Sequence, residues 1–250
     1  MFKSNKNTIL EISIQEQSKE IVLEKIIKYI KSPKGFFHIV SLNPENLVIA
    51  GENNKFKKVI ETAQIKIIDG MGVVLAGRLF NLELERLTGV DLMENLLNLA
   101  SIMRLRVMLI GGKPNLALEL ADCYQRQFPE AKFKGVEGIA DIKNPREEEE
   151  KAIFSIVPSY KPHIIFAAFG SPDQELWLAR HSEEFVGTVV MGVGGAFDYL
   201  SGKADRPSGF IRKIGLEWLS RLISQPWRWK RQTRLLKFIK LVLEQKWKNN

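Results

Sequence analysis

The sequence predicts an α/β fold in which a mainly parallel sheet carries helices on both faces. Short apolar runs alternate with amphipathic helical patterns along the chain, which is typical of repeated strand–helix–strand units. The chain has 250 residues, 45% of them hydrophobic and 26% charged, and is long enough to bury the core of one large domain. The excess of basic residues lies at the C-terminal end, which indicates an appendage after that domain.

Each predicted strand is an apolar run, and the predicted helices lie between these runs. The strands are Thr8–Ile14, Phe36–Leu42, Ile65–Ile68, Arg106–Ile110, Lys132–Val136, His163–Phe169 and Thr188–Val193. The helices are Ser18–Lys31, Pro44–Asn53, Met71–Leu79, Gly89–Met103, Asn115–Phe128, Pro145–Ser159 and Pro172–Arg180.

Ligands of such sheets bind at the carboxyl ends of the strands. Five predicted strands end beside glycine or small polar residues, which suits a cleft where a ligand approaches backbone N–H groups. These residues are Ser41, Asn43 and Pro44, then Asp69 and Gly70, then Gly111 and Gly112, then Gly170, Ser171 and Gln174, and finally Gly194, Gly195 and Asp198.

Each of these motifs also has a purely structural interpretation. Gly111-Gly112-Lys113-Pro114 is either a phosphate cradle at the start of a helix or a tight turn. Ser171-Pro172-Asp173-Gln174 matches a capping box, with Ser at N-cap, Pro at N1 and Gln at N3, and a ligand contact by Gln174 is the alternative. Asp69, before a glycine, is either a turn or cap residue or a carboxylate that faces a ligand.

The sequence lacks the common signatures of metal and nucleotide-cofactor sites. It has no Asp-x-Asp pair to hold a divalent ion against a diphosphate, and no Walker A pattern. Gly192-Val193-Gly194-Gly195 departs from GxGxxG at Phe197, and the single cysteine, Cys123, excludes a disulfide framework. We therefore expect no metal and no cofactor. A bound diphosphate would then be neutralised by arginines or backbone amides.

The last 45 residues, 206–250, carry all of the excess positive charge. They contain twelve Lys/Arg and two Asp/Glu, a net charge of +10, whereas the rest of the chain has 25 and 27, a net charge of −2. Four of the five tryptophans lie in this segment, and apolar residues recur at helical spacing on both sides of Pro226. Basic amphipathic helices with tryptophan are typical of membrane interfaces. A packed C-terminal helix pair and a nucleic-acid-binding tail are the alternatives.

The predicted organisation is therefore a domain at 1–203 and a basic amphipathic appendage at 204–250. No signal-peptide pattern is present, nor any apolar run of the roughly 18–20 residues that span a bilayer. The absence of a cysteine framework fits a cytoplasmic setting. In the second helix of the appendage, one apolar side is predicted to carry Leu235, Leu236, Ile239, Val242 and Leu243.

Seven blocks of sequence together resemble one family, the WecG/TagA/CpsF glycosyltransferases. The blocks, in the family order, are SLNPENLVIA, IIDGMGVV, ERLTGVDL, VMLIGGKP, FAAFGSPDQELW, GVGGAFDYLSGK and GLEWLSRLISQPWRWKR. The resemblance implies a Rossmann-like fold whose C-terminal appendage helps to complete the site at the membrane. It also implies an inverting transferase, peripheral on the inner face of a bacterial plasma membrane, that needs no Asp-x-Asp metal site.

Members of this family move a sugar from a UDP donor to a lipid-diphosphate-linked sugar. One branch transfers N-acetylmannosamine to N-acetylglucosamine-diphosphate-undecaprenol on the way to wall teichoic acid, and this is the activity expected here. Other branches use N-acetylmannosaminuronic acid or glucose, so another UDP-hexose is the first alternative. A non-catalytic nucleotide- or lipid-binding module is the second. The resemblance also implies dimers or larger oligomers, and a monomer–oligomer switch on membranes is a hypothesis.

The resemblance assigns roles to particular residues. Asp69 is implied to be the general base that takes the proton of the acceptor hydroxyl. Ser41 matches a family threonine beside the site, and Arg86 of ERLTG is implied to neutralise diphosphate. Gln174 matches the glutamine of the family's GSPKQE, in which Asp173 replaces the lysine, and Gly70 and Gly72 are expected to leave room for the sugar. The other expected substrate-binding residues are Asn43, Gly111, Gly112 and Gly194 and the appendage arginines Arg221, Arg228 and Arg231.

Overall fold

A computed structural model describes residues 7–202, Leu222 and residues 229–249. It confirms the α/β fold, with helices on both faces of a parallel sheet. The strands are β1 (Thr8–Ile9), β2 (Ile12–Ser13), β3 (Phe37–Leu42), β4 (Ile65–Ile68), β5 (Arg106–Gly111), β6 (Lys132–Val136), β7 (Ile164–Ala168) and β8 (Val189–Gly192). The helices of the described residues are α1 (Lys19–Lys31), α2 (Pro44–Glu52), α3 (Asn54–Thr62), α4 (Met71–Leu79), α5 (Gly89–Ile102), α6 (Leu116–Gln127), α7 (Glu147–Tyr160), α8 (Asp173–Arg180), α9 (Ala196–Leu200) and α10 (Trp229–Asn249).

The main sheet has six strands in the order β4-β3-β8-β7-β5-β6, and every neighbouring pair is parallel. Every residue of β3, β7 and β8 is buried, as expected for central strands that helices cover on both faces. Because all six strands run the same way, their carboxyl ends meet at one edge. The loops with the predicted site residues therefore lie together.

Alternate residues of each strand enter different cores, because side chains alternate between the faces of a sheet. Ile39 and Phe166 pack on one face with α1, α5 and α6. Val40 packs on the other face with α2, α3 and α4, and Ile165 packs there with α7 and α8.

The predicted strand Thr8–Ile14 is wrong as part of this sheet. Residues 8–13 form a separate antiparallel hairpin of β1 and β2, turned at Leu10 and Glu11, which have φ of 49° and 64°. Positive φ values interrupt the strand at both residues. The hairpin buries Ile9 and Ile12 against the core formed with α2, α3 and α4.

Helix α3 and the short α9 were not predicted from the sequence. The Asn53 Oδ1 accepts hydrogen bonds from Lys55 N at 3.0 Å and Phe56 N at 3.1 Å, which starts α3 directly after α2. Phe56, Val59 and Ile60 are buried at helical spacing, so the signal for this helix was present in the sequence.

Helix α10 packs on α2 and on the start of α4. It buries Phe238 and Val242, and the Gln245 side chain accepts from Leu10 N at 2.8 Å and donates to Thr8 O at 3.0 Å. The residues of the predicted apolar side do not all pack on the domain, since Leu236, Ile239 and Leu243 are exposed while Val242 is buried. Among the described helices, none combines the length and the apolar character needed to cross a bilayer.

Candidate active site

Asp69 follows β4 at the carboxyl edge of the sheet, and its backbone is fixed there. Asp69 N donates to Leu42 O at 2.9 Å, which ties the turn to the end of β3. Arg86 Nε donates to the Asp69 carbonyl at 2.9 Å, so the guanidinium lies beside the same turn. The N-cap of α4 is Gly70, so the interpretation of Asp69 as a cap residue is wrong.

The Asp69 carboxylate and the Ser41 hydroxyl face the first residue of α5. A Cβ added at Gly89 would lie 3.4 Å from Ser41 Oγ, 3.7 Å from Asp69 Oδ2 and 3.6 Å from Met191 Cε. Ser41 is buried and Asp69 is half-buried. Two side chains from neighbouring strands therefore converge where the backbone of α5 carries no side chain.

The start of α5 supplies a favourable field for a carboxylate. Thr88 is its N-cap, with the Oγ1 atom accepting from Asp91 N at 3.1 Å and donating to Asp91 Oδ2 at 2.6 Å. A helix of 14 residues carries partial positive charge at this end. The arrangement can hold an anionic base beside a hydroxyl-bearing substrate.

Glycines 70 and 72 are explained by protein packing. A Cβ at Gly70 would lie 2.6 Å from Pro44 Cδ, and one at Gly72 would lie 2.7 Å from Pro44 Cγ. The space expected for the sugar beside these two glycines is therefore filled by the proline at the start of α2. The same position at Gly72 is 3.8 Å from Phe238 Cε1, so α10 reaches the Asp69 turn.

Asn43 and Asn46 act together after β3. Asn43 is the N-cap of α2, and its Oδ1 accepts from Asn46 N at 2.8 Å. The Asn46 amide, 2% exposed, donates from Nδ2 to Ser41 O at 2.8 Å and accepts from Ser171 Oγ at 3.0 Å. Asn46 thus joins the ends of β3 and β7. Sequence reasoning missed it, because only the fold brings Ser171 to it.

Gln174 joins the loops after β7 and β8. Its Oε1 accepts from Gly170 N at 3.1 Å and from Gly194 N at 3.1 Å. The predicted capping box is wrong: Pro172 is at the N-cap of α8, and the Ser171 hydroxyl donates to Asn46 instead. The side chain of Gln174 is 3% exposed, and its role toward a donor stays a prediction.

Several backbone amides of the glycine-rich edge already have protein acceptors. Gly70 N donates to Leu42 O at 3.4 Å and Gly112 N to Ala168 O at 2.8 Å. The N–H groups of Gly170 and Gly194 are taken by Gln174. The expectation that a ligand binds these particular amides is therefore wrong for the conformation described.

The turn at Gly111 and Gly112 favours the structural interpretation. Both residues have positive φ, of 89° and 83°, and Phe169 and Phe197 fill the space beside them. Asn115 N, at the start of α6, donates to Glu137 Oε1 at 2.9 Å. A carboxylate of the protein thus occupies the place where a phosphate cradle would put its ligand.

The remaining residues of interest are possible metal ligands and the arginines of the appendage. Within the described part of the chain, no group of three or more His, Cys, Asp and Glu side chains is placed to hold a metal ion. Arg221 and Arg228 lie outside the described residues, and only the backbone of Arg231, within α10, is described.

Comparison with known proteins shows that residues 7–250 are similar to one protein family. The model of a family described as glycosyl transferase WecG/TagA/CpsF matches residues 7–250. The chain is 32% identical over 217 residues to the N-acetylglucosaminyldiphosphoundecaprenol N-acetyl-beta-D-mannosaminyltransferase of Bacillus spizizenii W23, which covers 86% of this chain and 82% of the relative. Proteins of the same name from Bacillus subtilis 168 and Staphylococcus aureus MW2 are 29% and 30% identical, over 83% and 79% of this chain and 79% and 74% of their own lengths.

Proposed function

The chain belongs to the WecG/TagA/CpsF family of glycosyltransferases, and on that premise we propose that it transfers N-acetylmannosamine from UDP-N-acetylmannosamine to N-acetylglucosamine-diphosphate-undecaprenol. The names of its relatives support this choice of sugar and acceptor. The observation that carries the proposal is the convergence of Asp69 Oδ2 and Ser41 Oγ at Gly89. The product would be a lipid-linked disaccharide for teichoic-acid-type polysaccharide.

Asp69 is the general base of the proposed reaction. The oxygen of the acceptor hydroxyl forms a bond to the anomeric carbon, on the side opposite UDP. The bond from that carbon to the UDP oxygen breaks, its electron pair leaves with UDP, and the configuration inverts. Asp69 takes the hydroxyl proton as the oxygen becomes acidic. Ser41, which faces the same point, orients the acceptor hydroxyl or the carboxylate.

Arginines neutralise the leaving diphosphate in this proposal. The support is that the amides of Gly70, Gly112, Gly170 and Gly194 are engaged within the protein. Arg86 lies beside the Asp69 turn, and the family arginines Arg221, Arg228 and Arg231 are the further candidates. Arginine suits this task because its planar fork binds phosphate oxygens in pairs. No metal or cofactor is included, since the sequence has no Asp-x-Asp pair.

We place the enzyme at the inner face of the plasma membrane, with α10 as one contact. The support is a solvent-facing apolar stripe with Lys240 and Lys246 on the same helix. Such a helix binds anionic lipid surfaces through both apolar and basic residues. The stripe consists of Trp229, Leu236, Ile239, Leu243 and Trp247, which are 48–85% exposed.

A flotation assay separates lipid from nucleic acid as the partner of this stripe. We expect the full chain to float with vesicles containing anionic lipid, and Leu236→Ser/Leu243→Ser to bind at least about tenfold more weakly because apolar burial is lost. Ile102→Ser, at an exposed position of α5, is the matched control and should float as the wild type does. Equal flotation of the double variant, or salt-dependent binding to oligonucleotides without vesicle binding, would contradict the assignment.

The test of the activity is transfer from a panel of UDP-sugars to N-acetylglucosamine-diphosphate-lipid by the purified full chain. UDP-N-acetylmannosamine should be used at least about tenfold faster than UDP-glucose, which lacks the acetamido group, or UDP-N-acetylmannosaminuronic acid, which has a carboxylate in place of the 6-hydroxyl. A site built to bind a particular polar group discriminates against donors that lack it. The product should show the inverted anomeric configuration by NMR. A preference for another donor would show that the proposed sugar is wrong. If no donor supports transfer, the alternative of a non-catalytic binding module would be favoured.

A further inference from the structure

Glu175 is a buried carboxyl group at the start of α8, beside Gln174. It lies in the first turn of α8 and is 1% exposed. Its Oε1 accepts a hydrogen bond from Gln174 Nε2 at 2.7 Å. Among the described residues, its Oε2 has no hydrogen-bond partner within reach. A buried carboxyl group is costly, so its retention here calls for a reason.

The Gln174 amide has two possible orientations, and Glu175 supports one of them. In the observed orientation Oε1 accepts from Gly170 N and Gly194 N, and Nε2 points to Glu175. A rotation of the amide by half a turn would bring Nε2 against two N–H donors and Oε1 against a carboxyl oxygen. All three contacts would then be lost, so the two glycine N–H groups and the acceptor on Glu175 together fix the orientation.

The two glycines that Gln174 holds belong to the loops of the central strands. Gly170 follows β7 and Gly194 follows β8, and a Cβ at Gly170 or at Gly195 would meet nothing within 4 Å. Strand β8, which the second of these loops follows, adjoins the base, since its Met191 packs at Gly89 beside Asp69 and Ser41. Both loops therefore leave central strands of the sheet, and one of these strands reaches the point where the reacting groups meet.

We propose that Glu175 is a positioning residue that, through Gln174, holds the loops after β7 and β8 in the arrangement that binds the UDP-sugar. The effect on catalysis rests on the proposed function. The hydrogen bonds that run from Glu175 through Gln174 to the two glycines, the hydrogen-bond clamp, do not depend on it. Burial raises the pKa of Glu175, and the nearby charge of Asp173 raises it further, while contacts with Gln174 and Ser171 act in the opposite direction. Whether protonated or ionised, the carboxyl group keeps an oxygen that can accept from Gln174 Nε2.

Two variants of similar size separate the acceptor from the charge. Glu175→Gln keeps a carbonyl oxygen and should retain kcat and both KM values within about threefold, because the hydrogen bond is preserved. Glu175→Met removes the acceptor and should raise KM for the UDP-sugar by about tenfold or more, as expected when a buried donor loses its partner. The KM for the lipid acceptor should stay within about threefold in both variants, which general destabilisation would not produce.

Amide hydrogen exchange, measured by NMR without substrate, tests the clamp by itself. Gly170 and Gly194 N–H should be protected in the wild type and in Glu175→Gln, and should exchange at least about tenfold faster in Glu175→Met. Unprotected glycines in the wild type would overturn the inference even if Glu175→Met does not fold. So would equal protection in all three proteins, or a Glu175→Gln variant as impaired as Glu175→Met. A wild type with protected glycines but no transfer would overturn the proposed function and not the clamp.

Discussion

Helices α5 and α6 both start at the carboxyl edge of the sheet, and they use that position differently. Helix α5 is capped by Thr88, and its first residue, Gly89, faces Asp69 and Ser41. Helix α6 starts after a residue in the left-handed region, Asn115, with φ of 64° and no side-chain cap, and Glu137 accepts from its backbone N–H. The start of α5 leaves a carboxylate beside the cleft, whereas the start of α6 is occupied by the protein itself. Glycine at the carboxyl edge of the sheet is thus a signal of close approach, which serves chemistry in one place and packing in another.

The largest effect in this comparison is expected for Gly70→Ala, on the α5 side. The new Cβ would lie 2.6 Å from Pro44 Cδ, so the Asp69 turn and the start of α2 have to move apart. We expect a loss of about 2–4 kcal/mol in the free energy of unfolding and a large loss of transfer. Urea unfolding and the transfer assay measure the two. Gly51→Ala, on open helix surface, is the control and should stabilise by about 0.5–1 kcal/mol.

Gly89→Ala should affect chemistry more than stability. Its methyl group fits at 3.4 Å from Ser41 Oγ and 3.7 Å from Asp69 Oδ2, but it occupies the space between them. We expect kcat to fall by about tenfold to a hundredfold because the methyl group keeps the acceptor hydroxyl out of its reacting position, with little change in the unfolding midpoint. Asn115→Gly at the start of α6 should leave kcat unchanged. If both variants behave alike in steady-state kinetics, the distinction between the two helix starts is lost.

Glu137→Gln should have the smallest effect. It removes the negative charge at the start of α6 and should cost about 0.3–1 kcal/mol of stability, because the helix dipole loses its partner. Transfer by the folded protein should stay within about threefold, as judged from initial rates at saturating donor. A tenfold loss of transfer would mean that α6 belongs to the active site after all.

The strands and helices of the main sheet could be predicted because their signals are local. Strands β4 and β6 and helix α4 have the predicted bounds, and most other elements differ by one or two residues. The hairpin of β1 and β2 could not be predicted, since its separation from the sheet depends on positive φ at Leu10 and Glu11 and on contacts with Gln245. Which apolar residues of α10 are buried could not be predicted either, because this depends on which side of the helix packs on α2.

The residues of the candidate site also fall into those that the sequence could predict and those that only the fold reveals. The positions of Asp69, Ser41 and Arg86 follow from strand ends and from the family resemblance, and the structure brings all three to one turn. Asn46 and Glu175 escaped notice, because their importance comes from hydrogen bonds to Ser171 and Gln174 that only the folded chain creates. The motif Ser171-Pro172-Asp173-Gln174 suggested that Gln174 caps a helix, whereas in the structure its side chain joins the loops after β7 and β8.

The most direct measurement is the rate of transfer by Asp69→Asn at saturating UDP-sugar and lipid acceptor, beside wild type and the charge-matched control Asp122→Asn on the exposed surface of α6. The account predicts a fall in kcat of about 10²–10⁴-fold for Asp69→Asn, with KM for the donor nearly unchanged, because only the base is lost. Asp122→Asn should match the wild type. A folded Asp69→Asn protein that retains kcat within about threefold would contradict the assignment of Asp69 as the base.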